Sequence, residues 1–139
     1  MLEEKLTHLK KELIMFATLA EGMIDKSILG LLNREKNFLN IIIEEDEKRA
    51  NQYESKLDDI CTFLIAQYQP KAKDLRTILM IYRIIKDLER MADHSVNIAE
   101  SGLFLLEKPP LKPLIDIPRM ASLVTEMLKN SIQAFIEED

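Results

Sequence analysis

Apolar side chains that recur every three or four residues constrain this chain more than any other feature of its sequence. They do so from Leu6 to Leu32, from Phe38 to Leu64, from Leu75 to Leu103 and from Met120 to Ile136. Residues at this spacing share one face of an α-helix, so each segment can bury a stripe against a neighbour. Seven Met, three Gly and no Trp in 139 residues also suit packed helices better than a sheet. We therefore predict an all-α bundle of four helices.

Breaks in this pattern predict where the helices end. The apolar spacing lapses at Asn33–Arg34, and Asn tolerates the left-handed conformation that ends helices. Pro70 ends a second helix, Glu35–Tyr68, and can serve as an early position of a third helix that runs to about Leu106. Lys108–Pro113 contains three prolines and predicts a linker, because successive prolines cannot propagate a helix.

The fourth helix partly repeats the first. Asp116-Ile117-Pro118 is typical of a helix start. At one constant offset, the fourth helix matches the first at five positions, and Asp139 falls on Glu35. The matched residues are Ala121, Leu123, Met127, Ser131 and Ile132, which correspond to Ala17, Leu19, Met23, Ser27 and Ile28. The match predicts a second structural unit that has begun within this chain.

Helical phase predicts the core faces and the state of the single cysteine. Cys61 lies among apolar neighbours, which favours a small buried side chain over a reactive thiol. Gly102 is expected to weaken the third helix only slightly. The predicted core face of that helix carries Leu75, Ile78, Tyr82, Ile85, Ala92, Val96, Ala99 and Leu103.

Several classes of protein are disfavoured. A net charge of −5 argues against a general nucleic-acid binder, and one cysteine excludes an internal disulfide or a cysteine-based zinc cluster. No apolar run approaches a membrane span and the N-terminus lacks a signal-peptide core, so we expect a cytoplasmic protein. Neither His8 nor His94 completes a hydrolase triad, and neither is preceded by Glu at the spacing of a di-iron bundle. We predict no enzymatic activity.

Acidic stripes on the second and third helices predict a metal site. Glu89, Asp93 and Asn97 share a face of the third helix, and the Glu-x-x-x-Asp step brings two carboxylates together one turn apart. The facing ligands on the second helix would be Glu47, Asn51 and Glu54. Such oxygen ligands suit Mg²⁺, Mn²⁺ or Fe. The alternative is a solvated or salt-bridged surface.

The sequence around Pro70 and Asp93 closely resembles the PhoU family. The resemblance rests on Gln69-Pro70-Lys71-Ala72-Lys73-Asp74-Leu75-Arg76, on Glu89-Arg90-Met91-Ala92-Asp93 and on Asn97-Ile98-Ala99-Glu100. It implies an antiparallel three-helix bundle over residues 1–107, a proline-rich linker over 108–117, and the first helix of a second repeat over 118–139.

The resemblance also implies a function. PhoU-like proteins are non-catalytic negative regulators of high-affinity phosphate uptake, and they act as adaptors between a phosphate ABC transporter and a sensor histidine kinase. Some bind Fe or other metals, such as Mn, Mg or Zn, through a motif that falls here on Glu89 and Asp93. The family's acidic positions on the second helix fall on Glu47, Asn51 and Glu54, where Asp is more usual at the first two.

Three hypotheses remain open from the sequence. The first is a PhoU-like regulator of phosphate transport with no organic cofactor. The second is an accessory domain of another ion transporter, and the third is a metal-free helical oligomerisation module. Because the fourth helix must bury its apolar stripe, we also predict a homodimer in which that helix packs against the partner.

Overall fold

Four helices form in the order that the apolar spacing predicts. The computed structural model describes residues 1–108 and 116–137. The helices are α1 (Leu2–Leu32), α2 (α-helical Lys36–Ile41 and Glu47–Tyr68, joined by the π-helical turn Ile42–Asp46), α3 (Ala72–Leu105) and α4 (Asp116–Glu137). The all-α prediction is confirmed. Residues 109–115 of the predicted linker, and the repeat match at Asp139, lie outside the described residues.

The connections between helices differ in detail from the prediction. Arg34, and not Asn33, adopts the left-handed conformation after α1, with φ 55°. Asn33 still donates its backbone N–H to the carbonyl of Leu29 at 2.9 Å and so completes the last helical turn. Pro70 lies in the connection before α3, because the left-handed Gln69 (φ 44°) ends α2 and the extended Lys71 comes next.

The core lies where α1, α2 and α3 pack together. Phe16 of α1 is fully buried and stacks on the ring of Tyr53 of α2, with ring centroids 5.6 Å apart. Each fully buried aliphatic or aromatic side chain contributes about 1.5–3 kcal/mol through removal of apolar surface from water. The largest of these side chains are Phe16, Leu9, Leu13, Met23, Leu39, Ile42, Leu57, Leu64, Ile78, Ile81, Ile85 and Leu88.

The core prediction for α3 is wrong at Tyr82. Ile81, Ile85 and Leu88 are buried, whereas Tyr82 is 37% exposed and its ring lies beneath the ammonium group of Lys86. Successive residues are turned by about 100° around a helix axis, so Tyr82 falls at the edge of the buried stripe. Its phenol ring therefore faces a charged side chain and solvent.

Two glycines allow the three helices to approach closely around Leu39. A Cβ atom built on Gly30 would lie 2.7 Å from Leu39 Cδ2, and one built on Gly102 would lie 3.1 Å from Leu39 Cδ1. Leu39 itself is fully buried. Gly102, which the sequence marks only as a weak helix position, is thus part of a tight contact.

The fourth helix packs along α1 of its own chain. Lys129 forms a salt bridge with Glu21 at 3.2 Å, and the hydroxyl of Thr125 lies 3.5 Å from a carboxylate oxygen of Asp25. Its apolar stripe is divided. Leu128, Ile132 and Phe135 pack against the core, whereas the exposed apolar residues are Met120, Leu123, Val124, Met127 and Ile136.

Candidate functional site

The acidic face of α2 meets α3 at a lysine. Glu54 and Asp58 lie one turn apart on α2, with side chains 19% and 36% exposed. Lys86 of α3 donates a hydrogen bond from Nζ to Glu54 Oε2 at 2.7 Å, and its Nζ lies 3.8 Å from Asp58 Oδ2. This carboxylate partner raises the pKa of Lys86 above its ordinary value, so the ammonium form is favoured.

Glu89 follows Lys86 along the same face of α3 and lies close to Glu54. Partial burial raises the pKa of Glu89, and the nearby carboxylate of Glu54 raises it further. Lys86 acts in the opposite direction, while the charge of Asp93 adds to the rise. The carboxylates of Glu54 and Asp93 therefore both act on Glu89, where α2 meets α3.

The other three predicted ligands lie elsewhere on the helices. Asn51 is exposed and lines a shallow depression formed by α2 residues, among them Gln52 and Lys56. Asn97 is exposed at the edge of an apolar groove between α1, α3 and α4. Glu47 is half-buried near the start of the second α-helical part of α2.

The structure does not gather the six predicted residues into one cluster. Within residues 1–108 and 116–137, no three His, Cys, Asp or Glu side chains converge as metal ligands. The carboxylate of Glu54, which would face Glu89, instead accepts a hydrogen bond from Lys86. No observation tests metal binding itself, so the metal site stays a prediction from the sequence.

The lysines that pair with the acidic side chains were not predicted from the sequence. Besides Lys86, Lys26 pairs with the buried Asp46 at 2.7 Å, and Lys56 pairs with the buried Glu12 at 2.5 Å. The hydrogen bond from Lys56 lowers the pKa of Glu12. Lys86 could have been found, because it precedes Glu89 by one helical turn and so shares its stripe.

An apolar groove of about 550 Å³ lies between α1, α3 and α4. Ile24 and Ile28 form its α1 wall, while Met120 and Val124 come from α4. His94 lines the groove and is exposed. The groove opens beside the exposed apolar stripe of α4, so the two form a continuous apolar surface.

The thiol of Cys61 is not arranged for nucleophilic chemistry. Cys61 is buried, and this burial raises its pKa to about 11. A thiol with that pKa is protonated at neutral pH and is a poor nucleophile. The prediction of a small buried side chain is confirmed.

None of the helices in the described ranges is long and apolar enough to cross a membrane.

Fold and surface together define an all-α helical-bundle protein with a charged interhelical face and an apolar groove. The same fold occurs in the crystal structure of PhoU from Pseudomonas aeruginosa, with a TM-score of 0.93. That match covers 100% of this chain and 66% of the other, at 24% sequence identity. The predicted bundle with an additional fourth helix is confirmed.

Sequence comparison identifies the family. The PhoU domain matches residues 13–102, and the chain belongs to this family. A relative from Aquifex aeolicus, named phosphate-specific transport system accessory protein PhoU homolog, is 38% identical over 98% of this chain and 61% of its own length. PhoU homolog 2 from Thermotoga maritima is 33% identical over 99% of this chain and 58% of its own length. The chain thus spans about three-fifths of these relatives.

Proposed function

We propose that this protein is an accessory regulator of phosphate transport that acts in the cytoplasm, through protein contacts and without catalysis. The observation that carries the proposal is the match of 98% of the chain to a relative that is named as an accessory protein of a phosphate-specific transport system. The chain spans only part of such relatives, and we extend to it the role that their names describe. The proposed partners are a phosphate ABC transporter and a sensor histidine kinase.

The apolar surface supports action by protein contact. The groove between α1, α3 and α4 continues into exposed residues of α4, including Met127 at 67% exposure and Leu123 at 56%. A contiguous exposed apolar surface of this kind is typical of protein-interaction sites. We propose that the exposed stripe of α4 forms the homodimer, with α4 of each protomer against its partner, and that the groove beside it serves the contacts with other proteins.

The proposal is tested by deleting the gene in the organism that encodes this chain. We expect the deletion to raise the uptake of radiolabelled phosphate in phosphate-rich medium, because the proposed regulator is a negative one. Expression of the wild-type chain should restore repression. Unchanged phosphate uptake together with altered transport of another ion would favour the accessory domain of a different transporter.

Two variants of exposed α4 residues test whether the apolar groove is the docking surface. Val124→Glu places a charge at the groove, where Val124 is 44% exposed, and should fail to restore repression. Ser122→Glu is the matched control, because Ser122 is exposed on α4 and does not line the groove. Full repression by Val124→Glu would show that the groove is not the docking surface.

A further inference from the structure

Lys86 lies between the acidic side chains of α2 and the aromatic edge of α3. Its Nζ is 2.7 Å from a carboxylate oxygen of Glu54, 3.8 Å from one of Asp58 and 5.0 Å from the centre of the Tyr82 ring. The side chain is 33% exposed, so the ammonium is partly withdrawn from water. Carboxylates and an aromatic face are both favourable neighbours of a monovalent cation.

The position of Lys86 along α3 places its charge on the predicted metal-binding stripe. It precedes Glu89 by three residues and Asp93 by seven, which correspond to one and two turns of an α-helix. A divalent ion held between Glu54 and Glu89 would therefore lie beside this ammonium. Two cations at that separation repel each other, and Glu54 would have to leave Lys86 before it could bind the ion.

We propose that Lys86 is the built-in counter-cation of the α2–α3 interface and takes the place of the divalent metal that the family resemblance implies there. The lysine is tethered to the chain, so it offsets part of the negative charge where the two acidic stripes meet, whatever the metal supply. The interface then packs without metal, and divalent ions bind only weakly at Glu54, Glu89 and Asp93. This inference is independent of the proposed role in phosphate transport.

The test removes the lysine charge and measures binding of Mn²⁺. Lys86→Met keeps the length and apolar character of the side chain but leaves Glu54, Asp58 and Glu89 without their cation. We expect this variant to bind Mn²⁺ at least about tenfold more tightly than the wild-type chain, because charge repulsion is gone and the carboxylates are free. Binding is measured by loss of the electron paramagnetic resonance signal of aqueous Mn²⁺ at neutral pH.

Thermal unfolding gives a second readout on the same samples. Without metal, Lys86→Met should melt below the wild type, since like charges then face each other across the helices. Added Mn²⁺ should recover most of that difference while leaving the wild-type melting temperature nearly unchanged. Combining Lys86→Met with Glu54→Gln should abolish both the tighter binding and the recovery.

Two controls separate the position of the charge from its mere presence. Lys86→Arg keeps the positive charge and should bind Mn²⁺ as weakly as the wild type. Lys56→Met removes a lysine that pairs with Glu12 of α1 instead, and it should not change Mn²⁺ affinity. Equal Mn²⁺ affinity in the wild type and Lys86→Met overturns the proposal, as does a Lys86→Met variant that remains unfolded when Mn²⁺ is present.

Discussion

Leu39 is confined between two glycines, and this arrangement decides what each glycine tolerates. A Cβ on Gly30 would lie 2.7 Å from Leu39 Cδ2 and 2.9 Å from its Cγ, while Gly102 borders the opposite methyl group. The leucine side chain therefore cannot move away from one glycine without approaching the other. Gly22 differs, because nothing lies within 4 Å of the place where its Cβ would be.

The two glycines of α1 should respond in opposite directions to alanine. We expect Gly22→Ala to raise the free energy of unfolding by about 0.5–1 kcal/mol through helix propensity. Gly30→Ala gains the same helix propensity but overpacks the core at a cost of about 1–3 kcal/mol, so its free energy of unfolding should fall. Urea unfolding followed by circular dichroism measures both. A stabilised Gly30→Ala variant would show that Leu39 has room to repack.

Residue-level contacts of this kind were only partly predictable from the sequence. The apolar character of Leu39 and its place on a core stripe follow from spacing within α2. The need for glycine at positions 30 and 102 depends on which atoms meet across three helices, and helical periodicity carries no such information. Lys86 is an intermediate case: its place on the acidic stripe of α3 follows from helical phase, but its contact with Glu54 of the facing helix does not.

At the scale of elements, one arginine ties the end of α3 to the turn after α1. Arg34 donates hydrogen bonds from Nη2 to the carbonyl oxygens of Leu106 at 2.8 Å and Lys108 at 2.9 Å. Leu106 and Lys108 lie in the turn that follows α3, so this guanidinium satisfies carbonyl groups that solvent would otherwise have to bind.

Replacing this arginine should loosen the end of α3 and leave its middle unchanged. Arg34→Lys keeps the charge but lacks the planar guanidinium, and should lose about 0.5–1.5 kcal/mol of local stability. Hydrogen–deuterium exchange should then quicken at the amide of Leu106, which is bonded to the carbonyl of Gly102. Amides around Ile85 serve as the internal control. Unchanged exchange at Leu106 would mean that the arginine bonds do not hold this end.

Helix number and approximate bounds were predictable because periodicity is a local signal. The π-helical turn Ile42–Asp46 was not, since it changes the helical phase without any proline or glycine to mark it. This turn buries Ile42 and also Asp46, whose carboxylate pairs with Lys26 of α1. A buried acid with a partner on another helix is a tertiary feature, and the sequence shows it only as one more charge in an acidic segment.

For the whole molecule, the main question is what covers the exposed apolar residues of α4. The helix uses one side to pack on α1, where Leu128 and Ile132 meet the core, and leaves Met127 and Leu123 largely exposed. Periodicity predicted a single apolar stripe but could not show that α1 of the same chain buries only part of it. The remaining part is the surface that our proposed homodimer would bury.

A single charge on this surface should separate the protomers without unfolding them. Met127→Glu introduces a carboxylate where the wild-type side chain is 67% exposed, so the isolated protomer should lose no more than about 0.5 kcal/mol. In a dimer formed through α4 the same carboxylate would be buried against its symmetry mate, which strongly opposes association. Sedimentation velocity at micromolar concentration should therefore show a wild-type dimer and a Met127→Glu monomer with similar melting temperatures. Ser122→Glu adds the same charge to another face of α4 and should remain dimeric. A wild-type chain that sediments as a monomer throughout the micromolar range would rule out the dimer. A dimeric Met127→Glu variant would show that the interface does not lie on the exposed side of α4.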